Sequence, residues 1–296
     1  MRMYKAYDPR VLKKLQREEL EVVKAFDALC SQQGWRYFLD FGALLGAVRH
    51  IGFIPWDDDI DVAMPRDDFE KMRSYVLKHM QDEDFLYGYK DQLSDPEFSK
   101  YVPLFYRKGT EFLNDRIGTP PGIGIDIFPF DYTSPNPRIQ KWEIFRANLQ
   151  RRLHYLCYRD PVIPFDGMLY GIVFLICKTA RLGLRLLRID PVKLFGSFEK
   201  ANMRSHKRYQ SSGLLTCYFD LAPQKNLMNI KQFETQEAPF EDAWLQLPAD
   251  PDKLLKMLYG SDYMQLPPED KRVNHSAERI LFSDGELVDY FSKEQR

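Results

Sequence analysis

The sequence has no hydrophobic run long enough to cross a bilayer. Its longest apolar stretch, Met168 to Cys177, is ten residues, where a spanning helix needs about 20. The first residues, MRMYKAYDPRVLKKLQREEL, hold no apolar segment of the kind that directs secretion. Cysteine is scarce: Cys30, Cys157, Cys177 and Cys217 are scattered and form no CxxC pair. Neither a disulfide framework nor a structural zinc is expected, and a reduced, cytoplasmic setting is. Excess charge is missing too, since the net value is −1, which by itself calls for no polyanionic partner. No RNA-recognition, helix-turn-helix or zinc-finger pattern occurs, so nucleic acid is not an expected partner. Internal repeats and low-complexity tracts are lacking as well.

What is present is an ordinary globular composition. The 296 residues are 44% hydrophobic and 14% aromatic, enough for a sizeable core and incompatible with wholesale disorder. Charge is unevenly placed. From Arg138 to Gln210 there are 15 Lys and Arg against 5 Asp and Glu, so one part of the chain is basic and the rest acidic.

Local patterns give an α+β order in front and an α-rich part behind. Asp8 and Pro9 open a helix whose apolar residues, from Val11 to Leu29, recur at helical spacing until Gly34. Trp35 to Phe41 reads as a strand, Gly42 to Arg49 as a short helix, and Asp59 to Met64 as a second strand stopped by Pro65. A helix follows over Arg66 to Met80, then short strands near Phe85 to Tyr89 and Tyr101 to Arg107. GIGIDIFP, Gly122 to Pro129, is a strand with a proline stop. DYTSPNP, Asp131 to Pro137, reads as a linker where the charge changes sign. Beyond it the chain is helical to about Gln210, with a strand at Leu214 to Phe219 and a capped helix from Asp250 to Gly260. Three units are expected: a catalytic core over 1–136, a basic α-rich region over 137–212, and a C-terminal part over 213–296 that completes the site.

The densest chemistry is Trp56-Asp57-Asp58-Asp59-Ile60-Asp61-Val62. On a strand, Asp57, Asp59 and Asp61 share one face while Asp58, Ile60 and Val62 take the other. Carboxylates only ~7 Å apart along one face repel unless a cation neutralises them. Oxygen donors of this kind suit Mg²⁺ or Mn²⁺ together with substrate phosphates. Asp126 lies between apolar neighbours in IGIDIF, where an ionised acid is costly unless paired, and a shared cation supplies the pairing. Upstream, FGALLGAVRH, Phe41 to His50, sets glycines where a strand meets a helix. Such a junction lets backbone N–H groups approach phosphate, with Arg49 and His50 beside it.

FGALLGAVRHIGFIPWDDDIDVAMPRDDFEKM resembles the signature of the LicD family, whose fold is similar to nucleotidyltransferases of the DNA polymerase beta type. GIGIDIFPFD and LYGSDYMQLPPEDKRVNH resemble two further blocks of that family. The resemblance implies a phosphotransferase. Bacterial members move phosphocholine from CDP-choline onto teichoic acid, lipopolysaccharide or other surface glycans, and the related fukutin proteins move ribitol phosphate. It implies Asp59 and Asp61 as the acid pair and Asp126 as the third acid, all three holding metal, with Asp57 extending the pattern. Asp126 or Asp57 accepts the hydroxyl proton, and Gly42, Arg49, His50, Arg272 and His275 contact substrate. Ala43 departs from the family pattern, in which Ser, Thr or Gly follows the turn glycine; a hydroxyl contact to phosphate is thereby lost. The expected partners are a CDP-activated alcohol and a glycan acceptor built on a lipid carrier. Two other readings fit the same motifs: a nucleotidyltransferase that uses an NTP and releases pyrophosphate, and an inactive nucleotide- or glycan-binding protein.

The basic middle suggests a membrane role. After the apolar run, Lys178, Arg181, Arg185 and Arg188 follow at spacings of three, four and three residues. They fall on one side of a helix. Such a helix is too short to span but can rest on anionic lipid at the inner membrane face.

Overall fold

A computed structural model describes residues 7–80, 82, 84–113, 121–161, 167–220, 227–272, 274–275 and 277–290. Helix α1 (Pro9–Gln33) begins as the sequence predicts: Asp8 accepts the Arg10 N–H at 2.8 Å, and Pro9 costs no hydrogen bond at the first position. It ends at Gly34, whose φ of 69° is the left-handed conformation that closes a helix. Its apolar face, with Leu15, Val22, Val23 and Phe26, is fully buried.

The chain continues through β1 (Phe38–Asp40), α2 (Phe41–His50), β2 (Asp61–Pro65) and α3 (Arg66–His79), then β3 (Tyr87–Lys90), β4 (Leu104–Arg107), β5 (Glu111–Leu113) and β6 (Gly124–Tyr132). Three helices follow, α4 (Pro137–Tyr158), α5 (Gly167–Leu186) and α6 (Pro191–Arg208). The C-terminal part holds β7 (Leu214–Thr216), β8 (Met228–Asn229), β9 (Thr235–Phe240), β10 (Ala243–Pro248), α7 (Pro251–Tyr259), β11 (Arg279–Leu281) and β12 (Leu287–Asp289).

The fold is α+β around a mixed sheet ordered β1-β2-β6-β4-β3, with β7 and β8 extending it beside the far end of β6. β2 and β6 run parallel and the other pairs antiparallel. Phe38, Leu39, Val62, Met64, Ile127 and Phe130 from the central strands form one core with α1, α3 and α6. A smaller cluster of Tyr7, Leu15, Ile123, Ile280 and Phe282 joins α1 to the β12-β11-β5 sheet.

Several expected boundaries move, each for a physical reason. β1 is shorter than Trp35 to Phe41 because Asp40 already caps α2. β2 starts only at Asp61, since β1 offers its last partner, Asp40, there. Asp57 to Ile60 therefore precede the strand, and the simple alternation of faces does not hold for them. Pro129 does not stop β6. Ile127 donates its N–H to Pro103 on the β4 side, so position 129 faces the gap between β4 and β7, where no donor is needed. Asp131, Thr133 and Ser134 are buried, so the expected linker is part of the core.

The basic region is tied to the sheet by a buried ion pair. The Arg66 guanidinium, with no exposed surface, meets both oxygens of Asp131 at 2.8 Å and reaches Glu199 on α6 at 3.0 Å. Phe195 and Phe198 of α6 join the main core. α5 differs: none of its described side chains is buried. Among the described residues no helix is long and apolar enough to cross a membrane.

Candidate active site

Three acids line up across three adjacent strands. Asp61 on β2 lies directly opposite Asp126 on parallel β6 and opposite Asp40 on antiparallel β1. Directly paired residues point to the same sheet face, so Asp40, Asp61 and Asp126 form one row. Asp59 reaches the row from the preceding segment and raises the Asp61 pKa, second only to burial; Asp126 adds to it. Burial first, then Asp59 and Asp58, pushes Asp57 up to about 8. Burial raises Asp40 to about 7, against the Phe41 N–H that favours its charged form.

Two cations face these acids. The Lys100 ammonium sits 2.5 Å from Asp126 Oδ1. Burial alone would lower its pKa; Asp126, Asp59 and Asp61 outweigh that and raise it. His275 Nδ1 lies 3.2 Å from Asp58 Oδ1 and 3.3 Å from Asp59 Oδ2. Its hydrogen bond to Asp58 is the largest influence and, with Asp59, lifts it to about 9 against the opposing effect of burial.

Asp58 does not point to a solvated face. It is 1% exposed. Its Oδ2 accepts the Tyr7 hydroxyl at 2.6 Å, and its Oδ1 accepts the His275 backbone N–H at 2.8 Å. The Tyr7 hydroxyl in turn accepts the Ala277 N–H. Asp58 thus ties the segment before α1, the acidic turn and the C-terminal segment into one network.

The other expected residues are placed as follows. Gly42 makes room for an acid: a Cβ there would lie 2.6 Å from the Asp57 carboxylate. With Asp40 on the Phe41 N–H at 2.9 Å, the start of α2 is faced by two carboxylates. Ala43 is a buried residue of the first turn of α2. Arg49 donates to the carbonyls of Tyr263 and Gln265 at 2.8 and 3.2 Å, bracing the C-terminal block on α2. Arg272 lies over the Trp56 ring, 4.5 Å from its centroid, and His50 meets the same ring edge-on.

Sequence reasoning missed Asp40, Lys100, Tyr259 and Glu19. Tyr259 on α7, 43% exposed, has its pKa raised by partial burial and then by Asp40 and Asp61; α7 packs against α2. Glu19 is buried beneath the acidic turn, its pKa pushed well up by burial and then by Asp58, Asp59 and Asp57. A signal for it existed, since Glu19 shares a helix face with Leu15, Val22, Val23 and Phe26. Lys100 carries no such signal.

The row presents carboxylate oxygens, with Asp126 held by Lys100. Asp40 Oδ2 and Glu19 Oε2 are buried without a hydrogen-bond partner among the described residues, and the row offers only hard oxygen ligands, as Mg²⁺ and Mn²⁺ prefer. Among the described residues the one group of three whose ligand atoms all come within 4.8 Å of one another is Asp58, Asp59 and His275, not the row. There, however, Asp58 is already engaged by Tyr7 and His275.

Residues 34–156 match the family model described as LicD/FKTN/FKRP, nucleotidyltransferase domain. Over that stretch, well under half of its length, the chain is similar to the LicD family. It is 32% identical over 120 residues to the lipopolysaccharide cholinephosphotransferase LicD of Haemophilus influenzae, covering 40% of this chain and 44% of that protein. An uncharacterised protein of Rickettsia typhi is 36% identical over 68 residues, covering 20% of this chain and 22% of its own. One of Rickettsia prowazekii is 40% identical over 48 residues, covering 16% and 18%. The alignments span less than half the length of these relatives. The stretch matched to the LicD model contains Asp40, Asp57, Asp59, Asp61, Lys100 and Asp126; Glu19, Tyr259, Arg272 and His275 lie outside it.

Proposed function

We propose that this chain is a metal-dependent phosphotransferase with a nucleotidyltransferase-like fold. It moves a phospho-alcohol, phosphocholine in first place, from a CDP-activated donor to a hydroxyl of a cell-surface glycan and releases CMP. The observation that carries this reading is the row Asp40-Asp61-Asp126 across β1, β2 and β6, within the stretch that matches the LicD/FKTN/FKRP nucleotidyltransferase-domain model.

Asp59, Asp61 and Asp126 are the residues that would hold Mg²⁺ or Mn²⁺, which supplies charge neutralisation for a diphosphate and its leaving group. Asp57, whose high pKa suits it to take a proton near neutral pH, receives the proton of the attacking glycan hydroxyl. The new bond joins that oxygen to the distal phosphorus, and the bond from that phosphorus to the bridging oxygen breaks. The bridging oxygen leaves with CMP. Lys100 and His275 offset negative charge beside the acids, and Arg272, over Trp56, contacts the donor phosphate.

The purified chain should release CMP from CDP-choline when Mg²⁺ and a lipopolysaccharide or teichoic-acid acceptor are supplied, and Asp61→Asn should abolish release. Pyrophosphate from an NTP, with no CMP from any CDP-alcohol, would instead assign the nucleotidyltransferase reaction. Thermal shifts with CDP-choline, CDP-ribitol and CDP-glycerol rank the head groups, because a ligand that binds the native state raises its apparent stability.

A further inference from the structure

Helix α5 has 20 residues, and they include no Asp or Glu. Leu169, Ile172, Leu175, Ile176, Leu182 and Leu186 are each at least half exposed. At about 100° per residue they fall within about 140° of one another, in one stripe. The Met168 side chain lies outside the described residues. An apolar stripe of this extent on a surface marks a partner. Its flank is cationic, with Arg185 and Arg188 exposed and Lys178 exposed but paired with Asp160 at 2.7 Å. Arg181, expected in the same set, turns inward instead and pairs with Asp160 at 2.7 Å. α4, which packs against α5, carries its own exposed line of Trp142, Phe145 and Leu149 with Arg138 and Arg152 at its ends.

We propose that α5 docks in the plane of a membrane surface rich in anionic phospholipid. Apolar burial in the interface supplies the hold, and the cations supply the preference for anionic head groups. The charge pattern favours lipid over a second copy of the chain. Self-pairing with the helices parallel would set Arg185 and Arg188 near their own copies, and in either direction no acid on the helix would offset them. This inference does not depend on the reaction proposed above, since α5 contributes nothing to the acidic row.

Cosedimentation of the full chain with vesicles tests it. Phosphatidylcholine alone should bind weakly, and phosphatidylcholine mixed with phosphatidylglycerol strongly, with release at high salt. Arg185→Gln with Arg188→Gln should lower partitioning by about thirtyfold, taking each cation near an anionic surface as worth about fivefold. Leu175→Ser, Leu182→Ser and Leu186→Ser together should abolish it, and circular dichroism would check that the fold is kept. The proposal is overturned if the wild type ignores both vesicles, or if the leucine variant binds as well as the wild type. A concentration-dependent dimer that the same leucine variant dissolves, without vesicle binding, would assign the face to a second copy.

Discussion

Asp61 and Asp126 stand directly opposite each other on the parallel strands β2 and β6. Strands lie about 4.8 Å apart, so two ionised carboxylates there repel by on the order of 3 kcal/mol at an effective dielectric constant of ~20. Asp40 extends the row on the other side of Asp61. Lys100, 2.5 Å from Asp126, offsets only part of the charge that these acids bring together.

The acidic row should therefore cost stability when no cation is bound. Asp57 at about 8 and Asp40 at about 7 stand above their unfolded values of about 4. The native state binds those protons more tightly than the unfolded state. Stability from these groups thus rises as pH falls from about 8 toward 4, and falls as pH rises through that window. In chelator-treated protein at pH 8, Asp61→Asn and Asp57→Asn should each raise Tm by roughly 2 °C or more, and Mg²⁺ should stabilise the wild type. A lower Tm in both variants would contradict the repulsion.

Asp58 behaves differently from its neighbours. On an alternating strand its removal would be mild; in the folded protein it holds Tyr7 and His275. Asp58→Ala leaves one buried and one part-buried donor without this partner and should cost about 1–3 kcal/mol in urea denaturation. Tyr7→Phe should share part of that loss. Additive losses in the double variant would show that the two groups do not act together.

Arg66 fastens α3, β6 and α6 together through Asp131 and Glu199. Arg66→Met strands two buried carboxylates and should destabilise by about 3–5 kcal/mol, while Arg66→Met with Asp131→Leu should recover much of the loss. Chemical denaturation of both variants checks the pair.

His154 is buried, its Nε2 2.7 Å from Gln92 Oε1, and burial, followed by the Arg159 charge, holds its pKa down near 4. The unfolded value is about 6.5, so the fold favours the neutral ring. This contribution is present above about pH 6.5 and is lost as pH falls from there to about 4, on the order of 3 kcal/mol in all. His154→Phe should flatten that part of the stability profile, opposite in sign to the acidic row.

Local chemistry made much of this molecule legible. Asp8, Pro9 and Gly34 fix α1, and Asp250 with Pro251 starts α7 as read. Asp61 and Asp126 come together through the parallel register of β2 and β6, with Asp59 beside them, although Asp57 and Asp59 precede the strand. What stayed hidden depends on partners distant in the chain. Asp58 is buried because Tyr7 and His275, 51 and 217 residues away, meet there. Asp40 joins the row only through strand register, and Lys100 only through the path of the chain before β4. Pro129 continues a strand because its neighbour on that side has already ended. None of these follows from spacing alone.

Mn²⁺ titration followed by electron paramagnetic resonance most directly tests whether the row on β1, β2 and β6 is a metal centre. Wild-type protein should bind Mn²⁺ in competition with Mg²⁺. Asp61→Asn and Asp126→Asn should lose that binding, and His275→Gln should retain it. Loss in His275→Gln with full binding in Asp61→Asn would move the centre to Asp58, Asp59 and His275 and contradict the account.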